Sequence, residues 1–81
     1  MIYSILKVVE EPTIGSTITR KVNISWEIMN QKMIVLIKLG YVEKMEKVGY
    51  GTTYQITLVG RNFRKQIEPY VKTELQLLEN V

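Results

Sequence analysis

Asn23, Ile24 and Ser25 separate two segments whose apolar residues recur at helical spacing, and this three-residue gap is the tightest constraint on the fold. Asparagine tolerates the left-handed conformation that ends a helix and serine is a favoured N-cap, so one helix stops and another starts within three residues. Upstream, TIGSTITRKV carries Ile14, Ile18 and Val22 four apart, with Thr, Ser, Arg and Lys on the other sides, and predicts a short helix. Gly15 and its hydroxyl-bearing neighbours lower the propensity of that helix. Downstream, Trp26 to Leu39 puts Met29, Met33 and Leu36 on one stripe and Glu27, Asn30, Gln31 and Lys38 on the polar face. Gly40 stands just past the end, where a left-handed residue is wanted. The two helices are held as a pair by a tight turn.

The flanking segments complete one small domain. MIYSILKVVEE spaces Ile2, Ile5, Leu6 and Val9 as a helix, which Pro12 closes. YVEKMEKV is β-rich and partly alternating. TYQITL alternates with Tyr54, Ile56 and Leu58 on one face, so the pair predicts a two-stranded β-hairpin with its tip at Gly49 to Thr52. From Val59 onward Phe63, Ile67, Val71, Leu75 and Leu78 return to helical spacing, with Thr57 as the N-cap. Pro69 interrupts this run and predicts either a kink or two helices meeting there. At 81 residues all these elements must share one core. The division expected is 1–58 as the α+β domain and 59–81 as a separate C-terminal helix.

Missing residue types limit the chemistry. The chain has no His, no Cys and no Asp, which removes Ser-His-Asp and Cys-His arrangements, disulfides and the usual zinc sites. A two-glutamate site stays formally open, but it needs a pocket that a domain of this size has little room for. The expectation is a non-enzyme with no cofactor, no metal and no small-molecule ligand. The longest near-apolar run, Met33 to Leu39, contains Lys38 and falls far short of the roughly 20 residues of a membrane span. Lys7 and Glu10 stand where a secretory signal needs an apolar core, so the expected location is cytoplasmic.

Two motifs then carry a resemblance. NISWEIMNQKMIVLIKLGYVEK has a Ser plus aromatic opening a helix (Ser25, Trp26) and a Leu-x-x-x-Gly-aromatic-Val ending (Leu36, Gly40, Tyr41, Val42). YQITLVGRNF matches Tyr-x-Leu-Thr-x-x-Gly-x-x-Phe through Tyr54, Ile56, Thr57, Gly60 and Phe63. Together, and over nearly the whole chain, they resemble small archaeal winged helix-turn-helix DNA-binding proteins of chromosomal, viral or plasmid origin. Leu58 and Val59 depart from the family, which usually carries charged residues there, and many members lack a proline at position 69.

The resemblance implies a winged helix-turn-helix with a three-helix core, and a double-stranded DNA partner met by the third helix in the major groove. Asn30 and Gln31 would then read adenine through paired hydrogen bonds. Lys32 and Lys38 would touch phosphates, and Ser25 and Arg20 join the DNA-binding set. Trp26 has two readings: packing under the turn of the second helix, or lying against the sugar–phosphate backbone. Glu27 suits the positive end of the helix dipole. Ile34 and Val35 either meet thymine methyls or cover the first or last helix. In the wing, Lys47, Tyr50 and Thr52 are the expected contacts with DNA.

The charge distribution agrees with this. Residues 12–67 hold nine Lys or Arg against three Glu, while the net charge of the whole chain is +3, so positive charge gathers on the reading unit. The stripe of Phe63, Ile67, Val71, Leu75 and Leu78, with Tyr70 beside it, exceeds what a small body hides and predicts a homodimer through the last helix. The alternative is that this helix folds back on the first, using Tyr3 and Val8. The function expected is a dimeric, sequence-specific transcriptional regulator. The alternatives are an architectural protein coating DNA, or a protein-interaction module anchored by Trp26 and Tyr50.

Overall fold

Helix α1 (Ile2–Val8) ends because its last carbonyls are taken by other partners. The Val9 carbonyl accepts from the Ile56 amide at 2.8 Å, and the Thr13 hydroxyl lies 3.1 Å from the Val8 carbonyl and 2.7 Å from that of Glu11. Pro12 disfavours helical backbone at the residue before it, so the expected extension through Glu11 does not form. The computed structural model describes residues 1–47, 49 and 51–79, and the side chains of all of these except 47 and 72–79.

Strand β1 (Thr13–Ile14) follows, then α2 (Gly15–Val22), α3 (Trp26–Lys38), β2 (Val42–Lys47), β3 (Gly51–Ile56) and α4 (Leu58–Glu79). The two-stranded wing expected from the sequence is therefore part of a three-stranded antiparallel sheet, ordered β1-β3-β2. Val42 pairs with Ile56 and Lys47 with Gly51 along the hairpin, while Thr13 pairs with Tyr54 and Ile14 with Thr53 on the other edge. The sequence pattern places Thr13 and Ile14 in the second helix, but they form β1. Two residues cannot display a strand period, and Ile14 happens to fall four before Ile18. Strand β3 starts at Gly51, so Gly51 and Thr52, expected in the hairpin tip, belong to the strand.

The helix-pair turn forms as the side chains require. Asn23 is left-handed at φ 60 and ψ 53, and the Ile24 amide reaches back to the Thr19 carbonyl at 3.1 Å. The Ser25 hydroxyl accepts from the Ile28 amide at 3.2 Å and caps α3. At the far end Gly40 has φ +77 and the Tyr41 amide bonds the Leu36 carbonyl at 2.9 Å, closing α3. One core unites these elements: Ile5, Leu6 and Val9 from the first segment, Ile18 from α2, Met29, Met33 and Leu36 from α3, and Val42, Tyr54 and Ile56 from the sheet.

Thr57 fastens α4 to the end of α3. Its hydroxyl accepts from the Gly60 amide at 3.0 Å and donates to the Gly40 carbonyl at 2.6 Å, while its amide bonds the Tyr41 carbonyl at 3.0 Å. Phe63 stacks on Tyr41, with centroids 4.5 Å apart and planes at 17°. Leu58, expected on the buried face of a strand, is instead the exposed first residue of α4. Pro69 does not divide the segment: one helix runs through it. Both Pro69 and Lys65, whose carbonyl loses its helical donor, are exposed, so water can satisfy that carbonyl.

The first half of α4 runs antiparallel to α1. Tyr3 donates to Glu68 at 3.1 Å, Arg61 pairs with Glu10 at 3.3 Å, and Arg64 pairs with the other oxygen of Glu10. Desolvation of the half-buried Tyr3 phenol, then its hydrogen bond to Glu68, raises its pKa above the ordinary 10.0. No helix among the described residues is long and apolar enough to cross a membrane.

Candidate nucleic-acid interface

Helix α3 divides into two faces. Met29, Met33 and Leu36 point into the core, while Glu27, Asn30, Gln31, Ile34, Val35 and Lys38 are exposed on the outward side. Asn30 and Gln31 thus present free amides that can donate and accept together. Lys38 occupies the last turn, and Lys32 sits half-buried on the flank. Ser25 is exposed, and although its oxygen caps α3 its own hydroxyl proton remains available to donate. Arg20 is exposed in the last turn of α2.

Ile34 and Val35 are 58% and 51% exposed, so they do not cover the first or last helix as one reading of the sequence had it. The first helix is instead covered by α4, which leaves the outward face of α3 open.

Trp26 packs in part against α2 and in part stands open. The outer edge of its indole lies against Gly15, at the start of α2, yet the residue remains 56% exposed. Together with Ile14, Ser16, Gly51, Thr52 and Tyr54 these two residues line an open groove of about 410 Å³ between the helix pair and the wing. Its walls include the Trp26 indole, the hydroxyl-bearing Ser16, Thr52 and Tyr54, and the start of α2, which has no side-chain cap. Of this lining, only Trp26 and Thr52 had been singled out as contacts with DNA. The association of Gly15 with Trp26 leaves no signature in a sequence, because it depends on how two helices cross.

In the wing, Thr52 is half-buried on the groove wall and Lys44 pairs with Glu46 at 3.5 Å on the exposed strand. Lys47 lies at the end of β2, with its side chain outside the described residues, and Tyr50 lies outside them altogether. On α4, Phe63 is engaged with Tyr41 of its own chain, Ile67 and Val71 are half-buried, and Tyr70 is 77% exposed. The side chains of Leu75 and Leu78 fall outside the described residues.

A helix pair with a tight turn, a capped third helix, a wing and a three-stranded sheet is the arrangement captured by the family model described as winged helix-turn-helix, which matches residues 1–75. The chain belongs to the winged helix-turn-helix family. Solved structures agree with this winged helix-turn-helix fold. A variant of ZitR from Lactococcus lactis superposes with a TM-score of 0.78 at 13% identity, covering 98% of this chain and 56% of that one. FabT from Streptococcus pneumoniae, solved in complex with DNA, gives a TM-score of 0.69 at 13% identity, covering 98% of this chain and 57% of that one. The chain therefore spans a little over half the length of either protein. No curated protein matches it.

Proposed function

We propose that this winged helix-turn-helix protein is a sequence-specific, DNA-binding transcriptional regulator that acts as a homodimer, with α3 in the major groove. The observation that carries the reading is the open outward face of α3, where Asn30 and Gln31 stand exposed beside the capped, exposed Ser25. A helix presented this way lies in the major groove with its exposed face toward the base edges. The DNA in the FabT structure supports the same use of the fold. Ser25, Trp26, Ser16 and Thr52 suit the sugar–phosphate backbone, and Arg20, Lys32, Lys38 and Lys47 supply phosphate contacts. The motifs resembling archaeal chromosomal, viral and plasmid proteins suit such a regulator.

The exposed Tyr70 supports pairing of two copies through α4, since its first half is occupied by α1 and the rest continues past that contact. Two-fold symmetry would direct the recognition helices to successive major grooves roughly 34 Å apart and favour a palindromic site. Salt titration of binding to random and to selected duplexes tests the function. A regulator prefers the selected sequence strongly; a DNA-coating protein shows a steep salt slope without preference; an interaction module shows almost no affinity.

A further inference from the structure

We propose that the outward face of α3 is built to read A·T pairs, with Ile34 and Val35 as specificity-determining contacts to thymine methyl groups; the inference rests on the DNA-binding role above. The geometry is a repeated pair. Asn30 and Ile34 lie four residues apart, as do Gln31 and Val35, so each exposed amide has an exposed branched aliphatic side chain one turn further along the same face. A·T is the pair that offers both complements in the major groove: adenine N6 and N7 suit a carboxamide, and the thymine C5 methyl suits an apolar contact. One helical turn rises about 5.4 Å, which places the two kinds of contact within one to two base steps of each other.

Neither aliphatic residue belongs to the buried core. Ile34 and Val35 leave more than half of their surface in water, and β-branched residues are weaker helix formers than alanine, so helix propensity does not account for them at these positions. The means of reading guanine are also missing. The commonest specific contact is a forked Arg or Lys on guanine O6 and N7. Helix α3 has no arginine, Lys32 is half-buried, and Lys38 lies in the last turn, beyond both amides and both aliphatic residues.

The test uses the full chain and a random duplex pool, followed by replacement of thymine with uracil, which removes only the methyl group, at the central positions of the selected site. The expected result is an A·T-rich centre and binding about fourfold weaker for each contacted methyl removed. Ile34→Ala, a substitution on an exposed helix face, should bind thymine and uracil duplexes alike at one of those positions. Selection of G·C pairs at the centre, or a thymine-to-uracil ratio of one for the unaltered chain, overturns the inference. So does a ratio that Ile34→Ala and Val35→Ala both leave unchanged. Salt-dependent binding persists in those cases, whereas loss of binding to every duplex would instead overturn the regulator reading.

Discussion

The indole of Trp26 rests on Gly15 so closely that a methyl group built there would stand 2.7 and 2.8 Å from the two outermost ring carbons. Glycine is required because the ring occupies the space of a side chain. Gly15→Ala should therefore swing the indole away. The displaced atoms are the free end of a half-exposed side chain, so stability should fall by only about 1 kcal/mol, at the low end for overpacking. Trp26 is the sole tryptophan, so its emission and quencher access report the displacement directly. Unchanged fluorescence would refute the contact.

Gly60 gives the opposite case. A Cβ there would lie 2.8 and 2.9 Å from the carbonyl carbon and Cα of Tyr41, and closer still to its oxygen. Backbone cannot swing aside, and the stacked pair Tyr41–Phe63 holds the two segments together. Gly60→Ala should cost roughly 3 kcal/mol or more. Thr57→Val, which keeps shape but loses the cap and the bond to Gly40, should cost about 1–2 kcal/mol. Urea melts with both variants measure the ranking.

On α3, Asn30→Ala and Lys38→Ala should behave differently although both side chains are exposed. Removing the amide should relax base preference at one position, at a cost of about 1–3 kcal/mol against the best site only. Removing the ammonium should weaken binding to all sequences alike and reduce the salt slope by about one. Filter or fluorescence titrations on selected and scrambled duplexes separate the two, and identical profiles would overturn this division of roles.

Alkaline pH should loosen α4 from α1. Because the folded Tyr3 has its pKa raised above 10.0, the unfolded chain loses that proton first. The stabilising contribution is therefore complete below pH 10 and declines as pH rises through the higher, folded value, when a phenolate would face the Glu68 carboxylate. Tyr3→Phe should flatten this part of the stability profile, as read by melts between pH 8 and about pH 11.

Sedimentation at micromolar concentration should show a dimer. Tyr70→Asp, placing a charge on the most exposed aromatic of α4, should weaken the association about tenfold while leaving the α1–α4 contact intact. A monomer for the unaltered chain at that concentration would remove the dimer from the proposal.

Much of the winged helix-turn-helix could be read directly. The cap at Ser25, the left-handed Asn23 and Gly40, the cap at Thr57 and the buried stripe Met29, Met33 and Leu36 all stand where the sequence places them. The two motifs that carried the family resemblance also gain a physical meaning, since they bond to one another: Thr57 to Gly40, Gly60 and Phe63 against Tyr41. The candidate interface was legible only in part. Asn30 and Gln31 stood out by chemistry, while the groove beside Trp26 and the exposure of Ile34 and Val35 did not.

The amino-acid sequence alone determined where α2 stops and where α3 starts and stops, because capping and periodicity depend on residues within a turn or two of each other. Side chains that terminate and lock those elements also carried the resemblance to winged helix-turn-helix proteins, and the family model over residues 1–75 shows that family. Only the tertiary structure decided that Thr13 and Ile14 pair with β3, that α4 gives its first half to α1, and that an indole fills the space above Gly15. Each of these joins residues distant along the chain, and such contacts follow from how whole elements pack and compete for the same partners, which no local pattern records.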